Sequence, residues 1–205
     1  MKSIFIGTVE LSWHSLNVIN KYLNVEAIFT FDQKFKKNIS NFKSLDDISL
    51  SNNIPIYFIK NINSKRNIDL IKRIKPDLIF CIGWPQIIKN QILQIPKYES
   101  IGIHTSLLPK YRGGAPINWA IINNEKKWGI SLMYLGNKAD NGDIIDQLSF
   151  NIEFNDTVKE VYDKATEASI KILNKNLPDI IRKKNKRKKQ NTKLSSYFNK
   201  RKPSD

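Results

Sequence analysis

Apolar residues along the chain follow two patterns that alternate from the first residues to about residue 180. Short continuous apolar runs are typical of strands buried in a parallel sheet, and apolar residues recurring every three or four positions are typical of amphipathic helices. The predicted strands are Ser3–Gly7, Val25–Phe31, Ile54–Ile59, Asp77–Ile82, the run ending at His104, Trp128–Leu135 and Ile144–Ile152. The predicted helices are Leu11–Leu23, Leu45–Leu50, Ser64–Ile74, Ala115–Ile122 and Val158–Leu173, which Leu177–Ile181 continues. This β-α-β order predicts an α/β fold with a doubly wound, mostly parallel sheet.

Composition narrows the class of protein. The chain has 205 residues, 40% of them hydrophobic and 26% charged, which suits a globular protein with one sizeable core. No apolar run approaches the roughly 20 residues needed to span a bilayer, and the first residues lack a signal-peptide cleavage site. The single cysteine, Cys81, excludes an internal disulfide and a cysteine-based zinc site. We therefore expect a cytoplasmic protein with no membrane partner and no metal.

Positive charge is concentrated at the end of the chain. The net charge is +15, and residues 182–205 contain eleven Lys or Arg and one Asp. We predict one catalytic domain over residues 1–181 and a basic C-terminal tail or linker over residues 182–205. A basic tail can bind nucleic acid or a membrane surface. We favour a solvated linker instead, because no aromatic residues are interleaved in its first half to stack on bases.

The segment Ser100–Pro116 contains the residues most suited to chemistry. His104 ends an apolar strand, where a side chain can leave the sheet and face a cleft. After Pro109, which interrupts strand pairing, Lys110, Tyr111 and Arg112 follow on a loop that two glycines open. Far downstream, Asp140 lies in a polar turn between two apolar segments.

His104 and Asp140 form a candidate acid–base pair. Imidazole exchanges protons near neutral pH, and a nearby carboxylate can fix its tautomer and stabilise its charged form. Taken alone, each residue has an ordinary structural explanation: a histidine near a strand is usually a satisfied, partly buried side chain, and an aspartate in a turn usually shapes that turn. Spacing does not show that the two meet.

Several motifs occurring together resemble those of the formyltransferase family that uses N10-formyltetrahydrofolate. They are His104, Ser106–Pro109, Arg112–Gly113 and the turn Asp140–Asp143, and the run LLPKYRG with the following API and NW is most similar to the sugar N-formyltransferases. The resemblance implies the Rossmann-like formyltransferase fold, N10-formyltetrahydrofolate as formyl donor, and His104 and Asp140 as catalytic residues. It also places Asp143 among the donor-binding residues and makes a homodimer one assembly to expect.

A donor pocket is expected at the loop after the strand Asp77–Ile82. Ligands of open α/β sheets bind beyond the carboxyl ends of the strands, and a flat pterin ring needs an apolar slot with a few polar groups. By loop position, the resemblance therefore implies Trp84, Gln86 and Ile88 as pocket-lining residues. For Trp84 alone, a core aromatic that caps the sheet is the commoner case.

One position departs from the family pattern. The family has Asn-x-His, and its asparagine falls on Gly102 here. The missing hydrogen-bond donor has to come from a backbone amide, an ordered water, Thr105, Asn118 or Asn141, or the activity is weakened or redirected.

The predicted function is an N-formyltransferase that acts on a nucleotide-linked amino-deoxysugar, with a dTDP-linked sugar expected, as in lipopolysaccharide O-antigen biosynthesis. Lys110, Tyr111 and Arg112 suit a diphosphate and a base as substrate-binding residues. The tail is too short to build the large C-terminal domain that holds tRNA in methionyl-tRNA formyltransferases, so we do not expect a nucleic-acid partner. Three alternatives remain: an enzyme like the methionyl-tRNA formyltransferases, a folate- or nucleotide-binding module with reduced catalysis, and a nucleic-acid-binding protein driven by the tail. Related sugar enzymes often continue into a further domain, so this chain is either a short form or a truncated one.

Overall fold

The computed structural model describes residues 1–202, which fall into two compact units. The first unit covers residues 1–102, and the second begins at Ile103. Strand β5 (Glu99–His104) starts in the first unit and ends in the second. Residues 203–205 of the predicted tail lie outside the described residues.

The first unit is built on a parallel sheet with helices between its strands. Its strands follow the order β3-β2-β1-β4-β5, and β1 pairs in parallel with β2 and β4, as β2 does with β3. The strands are β1 (Lys2–Ile6), β2 (Asn24–Thr30), β3 (Ile56–Phe58), β4 (Leu78–Ile82) and the start of β5. The helices are α1 (Glu10–Ile19), α2 (Asp46–Asn52), α3 (Lys65–Ile74) and α4 (Asn90–Leu93), with a 3-10 helix at Gln33–Asn38. The predicted α/β fold with a mostly parallel sheet is confirmed.

Large apolar side chains in register explain why the strands pair in this order. Phe5 of β1 lies opposite Ile28 of β2 and Phe80 of β4, and all three side chains are fully buried. A strand that is central in a parallel sheet is covered on both faces, which is why its sequence is a continuous apolar run. Ser12 of α1 then joins two strand ends, since its hydroxyl donates to the carbonyl of Ile82 at 2.7 Å and accepts the amide of Thr8 at 3.0 Å.

The second unit combines an antiparallel hairpin with a long helix. Strands β7 and β8 pair antiparallel, with Ile130 opposite Leu148, and both pack against helix α6. The elements are β6 (Arg112–Gly113), α5 (Pro116–Ile122), β7 (Lys127–Tyr134), β8 (Ile144–Asn151), α6 (Val158–Ile181), a 3-10 helix at Thr192–Leu194 and β9 (Tyr197–Phe198). Among the residues described in both units, no helix has the length and apolar content needed to cross a bilayer.

Helix α6 runs without a break through the polar stretch where the prediction interrupted it. Asn174 and Asn176 donate from their side-chain amides to the carbonyls of Ile170 and Ile172, one turn earlier, and Asn176 also donates to Asp146 of β8 at 2.9 Å. At its start, the Thr157 hydroxyl accepts the amide of Glu160, and the Glu160 carboxylate accepts the amide of Thr157 at 2.6 Å. This reciprocal pair is a capping box, which satisfies two amides that the first turn leaves open.

Replacing Thr157 with alanine should lower the free energy of unfolding by about 1 kcal/mol, because the amide of Glu160 loses its acceptor at the start of α6. Urea titration followed by tryptophan fluorescence measures this loss. Thr157→Ser is the matched control: it keeps the hydroxyl and should unfold close to the wild type. If the alanine and serine variants have the same urea midpoint, the cap contributes nothing.

Residues 182–202 are part of the second unit, and although most of their side chains are exposed, the segment is not a free linker. Strand β9 pairs in parallel with β6, where the amide of Arg112 donates to the carbonyl of Ser196 and the amide of Gly114 to that of Phe198, both at 2.9 Å. Earlier in the segment, Lys188 and Ile144 exchange two backbone hydrogen bonds of 2.8 Å. The segment is therefore held at two points by backbone pairing. Its charge pattern did not reveal this, because strand pairing uses backbone groups that every residue has.

Candidate active site

His104 ends strand β5, and its ring lies almost entirely inside the second unit. The side chain is buried, and its Nε2 lies 2.7 Å from the carbonyl oxygen of Tyr111. Because a carbonyl can only accept, this contact requires a hydrogen on Nε2. The other ring nitrogen, Nδ1, faces Oδ1 of Asp140 at 3.5 Å. Each ring nitrogen therefore faces an oxygen atom that can accept a hydrogen bond.

The carboxylate of Asp140 is held in place by two groups. Its Oδ1 faces His104, and its Oδ2 accepts the backbone amide of Gly113 at 2.8 Å. Asp140 adopts a φ of +52°, a region that few residues other than glycine populate and that aspartate tolerates better than most. The side chain is partly exposed, at 23%, whereas that of His104 is at 10%. The structure thus brings together the two residues proposed as a pair from the sequence, and Asp140 is the one that solvent reaches more easily.

Tyr111 is buried rather than presented on an exposed loop. Its ring stacks on Phe198 with centroids 4.5 Å apart and meets Trp128 edge-on at 4.7 Å. Its hydroxyl donates to Glu125 at 2.7 Å and accepts from Asn123 at 3.0 Å. Burial, and next the hydrogen bond to Glu125, raises the pKa of Tyr111 above its usual value. Tyr111 is therefore an anchor of the loop, and its role in substrate binding stays a prediction.

The two basic residues on either side of Tyr111 differ in their surroundings. Lys110 is exposed. Arg112 is partly buried, and its guanidinium donates to Oε1 of Gln190 through Nε at 3.2 Å and through a terminal nitrogen at 2.7 Å. Lys110 is therefore open to a ligand, while Arg112 already has a partner in the chain.

The predicted donor-pocket residues lie in the first unit, after β4. Trp84 stacks on Phe31 with centroids 4.2 Å apart, and its indole Nε1 is buried without a hydrogen-bond partner in the described part of the chain. A buried donor without an acceptor is costly, so this N–H suits an acceptor atom on the edge of a pterin ring. Ile88, which is close to Trp84 in sequence, is buried and supplies apolar surface.

The side-chain amide of Gln86 already has partners within the first unit. Its Nε2 donates to the carbonyl of Lys60 at 2.7 Å, and its Oε1 accepts the amide of Ile62 at 3.2 Å. Both ends of the amide are thus used to hold the turn at residues 60–62. Asp143, also predicted to bind the donor, has a partner of its own: one of its carboxylate oxygens lies 3.6 Å from Nε of Arg187.

Position 102 has no side chain to donate a hydrogen bond. The two asparagines considered as replacements, Asn118 and Asn141, differ in how many of their side-chain N–H groups already have a partner. Gly102 is buried in β5. Asn141 uses its amide within its own turn, where it accepts from the amide of Lys138 and donates to Asn137. Asn118 accepts from the Tyr162 hydroxyl at 3.1 Å, and its side-chain N–H groups have no partner among residues 1–202. Of the two asparagines, Asn118 thus has both side-chain N–H groups left over, and Asn141 has one.

Two other kinds of chemistry find little support in the described residues. Burial raises the pKa of the Cys81 thiol to about 12, so at neutral pH it is not a thiolate nucleophile. Within residues 1–202, no three His, Cys, Asp or Glu side chains converge as a metal site requires. A groove of about 980 Å³ in the first unit is lined by residues of α3, α4 and their flanking loops, and it contains none of the predicted site residues.

Gln190, Ser196 and Phe198 belong to the site and were missed in the sequence. Gln190 donates to the carbonyls of Asp140 at 2.9 Å and Gly142 at 2.7 Å, in addition to accepting from Arg112. The Ser196 hydroxyl accepts the amide of Tyr111 at 2.9 Å, one residue before the β6–β9 pairing begins. The one sequence signal was the aromatic pair Tyr197–Phe198, which is unusual in so polar a stretch and indicates that the segment packs against other residues.

Comparison with known proteins gives a consistent family. A family model described as formyl transferase matches residues 13–177. The chain is 39% identical over 206 residues to a bifunctional polymyxin resistance protein ArnA of Wigglesworthia glossinidia brevipalpis, covering 100% of this chain and 32% of that protein. It is 37% identical over 201 residues to a methionyl-tRNA formyltransferase of Clostridium tetani, covering 96% of this chain and 64% of that protein. The chain therefore spans less than two thirds of either relative.

Among solved structures, the chain is similar to WlaRD, described as a sugar 3N-formyl transferase in the presence of dTDP and 5-N-formyl-THF. The two share 31% sequence identity with a TM-score of 0.75, and the match covers 97% of this chain and 69% of that one.

Proposed function

This chain belongs to the formyl transferase family, whose model matches residues 13–177, and on that premise we propose that it transfers a formyl group from N10-formyltetrahydrofolate to a primary amine. The observation that carries the proposal is the pair His104–Asp140. Two groups that can exchange protons lie 3.5 Å apart in the second unit, although they are distant in sequence.

The reaction sets out what the residues have to do. The amine nitrogen bonds to the formyl carbon, the carbonyl oxygen takes up negative charge, and the bond from that carbon to N10 then breaks. One proton leaves the amine and one reaches the departing nitrogen, so the overall transfer needs no oxidant or reductant. It needs a group that moves protons near neutral pH and a donor or positive charge beside the developing oxyanion.

His104 and Asp140 together meet the first requirement. The carboxylate is the more exposed member of the pair, so it is the group that an incoming amine reaches first. His104 stands behind it, with Nδ1 facing Asp140 on one side and Nε2 donating to the Tyr111 carbonyl on the other. Because Gly113 holds Oδ2 of Asp140, Oδ1 stays directed at the ring. A protonated His104 also places positive charge in this buried region, which favours an oxyanion nearby.

The donor supplies the formyl group already activated as an N10 amide. We propose that Trp84 and Ile88 hold its pterin ring, with the unpartnered indole N–H of Trp84 as a hydrogen-bond donor and Ile88 as apolar surface. Gln86 supports this loop through Lys60 and Ile62. Asp143, in the second unit, stays a predicted donor-binding residue.

For the acceptor, we propose a nucleotide-linked amino sugar, with a dTDP-linked one first. A similar solved structure is a sugar 3N-formyl transferase described with dTDP, at 31% identity over almost the whole chain. Lys110, exposed next to the site loop, can bind a diphosphate. In this proposal, Arg112 and Tyr111 shape the loop that carries Lys110.

Methionyl-tRNA is the second candidate acceptor. Two observations favour it: the 37% identity to the Clostridium tetani enzyme over 96% of this chain, and the net charge of +15, which attracts a polyanion.

Incubation with N10-formyltetrahydrofolate and a panel of acceptors tests the proposal. We expect formylated product, detected by mass spectrometry, from dTDP-linked 3-amino- or 4-amino-deoxyhexoses and none from the matching sugars without an amine. Asp140→Asn, which keeps the shape of the side chain but cannot take a proton as a carboxylate does, should form product far more slowly. Product from methionyl-tRNA alone would select the second candidate. Product from neither acceptor, in the wild type and in a Gly102→Asn variant alike, would contradict formyl transfer and favour a binding module.

A further inference from the structure

The side-chain amide of Gln190 joins the two loops that form the site. Its Oε1 accepts two N–H groups of Arg112, and its Nε2 donates to the carbonyls of Asp140 and Gly142 at 2.9 and 2.7 Å. One side chain thus contacts the backbone on both sides of Asn141 and the guanidinium next to Gly113.

This arrangement requires an amide. Guanidinium N–H groups need an acceptor and backbone carbonyls need a donor, and of the side chains of this length only glutamine offers both. A glutamate at position 190 keeps the acceptor for Arg112 and loses both donors. A methionine keeps the approximate length and loses all four hydrogen bonds.

Gln190 also closes a ring of contacts around the Asp140 carboxylate. Asp140 is held from its side chain by the amide of Gly113 and from its own carbonyl by Gln190. Arg112, the neighbour of Gly113, is held by the same glutamine. The loop adopts a backbone conformation at Asp140, with φ of +52°, that few residues adopt unless their surroundings impose it.

Backbone pairing on either side fixes the position of Gln190 itself. Two residues before it, Lys188 exchanges two hydrogen bonds with Ile144, and six residues after it, Ser196 accepts from the amide of Arg112. The backbone of Gln190 is therefore restrained on both sides. Because it has little freedom to move, its side chain can hold the Asp140 loop in a fixed position.

We propose that Gln190 is a positioning residue for formyl transfer, holding the Asp140 loop so that the carboxylate faces His104. The proposal rests on the proposed function for its catalytic consequence. The structural part of the proposal is that Gln190 determines the position of Asp140 beside His104. This part does not depend on the proposed function and can be tested without any substrate.

The substrate-free measurement uses the two histidines of the chain, His14 and His104. With 13C-labelled histidine, the ring Cε1–H signals of both are recorded at one fixed pH in the wild type, Gln190→Met and Asp140→Asn. We expect the His104 signal of Gln190→Met to move from the wild-type position towards that of Asp140→Asn, while the His14 signal stays in place. Gln190→Glu, which keeps the length and the contact to Arg112, should show the same displacement and serves where the methionine variant folds poorly. An unmoved His104 signal in a folded variant overturns the proposal.

The matched control is Gln147, another partly buried glutamine, whose Nε2 donates to the Leu108 carbonyl at 3.0 Å and the Ser131 hydroxyl at 2.8 Å. Gln147→Met removes a comparable pair of hydrogen bonds and should leave the His104 signal closer to the wild type than Gln190→Met does. Equal displacement in both variants means a general loosening and overturns a specific role for Gln190.

The catalytic consequence is measured with the acceptor that the wild type formylates. Gln190→Met should lower kcat by about 10- to 100-fold, the range seen when hydrogen-bonded support of a functional group is removed, with the acceptor KM little changed. A rise in KM at constant kcat would overturn the positioning role. If the wild type formylates nothing, the proposed function fails while the histidine signals still decide whether Gln190 positions Asp140.

Discussion

Replacing His104 with glutamine is expected to lower kcat for formyl transfer by about 100- to 10,000-fold, the range that a positioned acid–base group contributes. Glutamine can still donate an N–H to the Tyr111 carbonyl, which His104 contacts at 2.7 Å, so the fold of the loop should survive. It cannot take up a proton, and it brings no positive charge to Asp140. The loss should therefore appear in the chemical step rather than in binding, and steady-state kinetics on the acceptor that the wild type formylates separate the two.

The other histidine provides the control for this substitution. His14 lies on α1 in the first unit, where its ring packs edge-on against Trp13. His14→Gln should retain wild-type kcat and KM. If the His104 variant transfers the formyl group as fast as the His14 variant, the pair of His104 and Asp140 has a structural role only.

Replacing Gly113 with alanine should have the largest effect on stability, a loss of about 2 kcal/mol or more in the free energy of unfolding. Gly113 adopts a φ of +100°, and an added Cβ would lie 2.1 Å from the carbonyl oxygen of Phe198 and 3.0 Å from the Tyr197 ring. That carbonyl belongs to the backbone and accepts the amide of Gly114, so it cannot move aside without separating β6 from β9. Activity should fall as well, because the amide of Gly113 holds Asp140.

Urea unfolding measures the stability of the Gly113 variant, and Ala115→Gly is its control. Ala115, two residues later at the start of α5, has a φ of +51°, so glycine relieves a backbone restriction there instead of adding one. We expect the stability of this control to change by less than about 1 kcal/mol. A Gly113→Ala protein with the wild-type urea midpoint would show that the β6–β9 pairing contributes little.

The sheet of the first unit could be predicted because its determinants are local. Continuous apolar runs such as those around Phe5 and Phe80 mark strands buried on both faces, and both residues are fully buried in the parallel sheet. The helix boundaries were less accurate. Helix α1 ends at Ile19, four residues before the predicted end. Leu23 is apolar and buried, so it fitted the helical spacing of apolar residues, but it lies in the loop before β2.

The family was predicted from its motifs and is confirmed, whereas the way the site is held together could not be predicted. His104 and Asp140 could be identified because each lies in a sequence motif that resembles the formyltransferase family. The burial of Tyr111 was not apparent, since a tyrosine between two basic residues and followed by two glycines has the composition of an exposed loop. Its partner Phe198 is far away in sequence, and stacking of two distant rings leaves no trace in local composition.

Gln190 shows the same limit in a polar setting. It lies in a stretch rich in lysine and asparagine, where neither hydrophobic periodicity nor charge distinguishes a structural residue from a solvated one. Two of its four hydrogen bonds go to backbone carbonyls, which every residue carries, so no sequence pattern identifies those acceptors.

The pairing of β6 with β9 has a consequence during synthesis on the ribosome. A nascent chain that has emerged as far as residue 181 already contains both members of the acid–base pair, but not the strand that pairs with Arg112 and Gly113. Contacts between segments so distant in sequence form late, because a long loop has to close first. We therefore expect the growing polypeptide to acquire its sheet well before it acquires competence for catalysis.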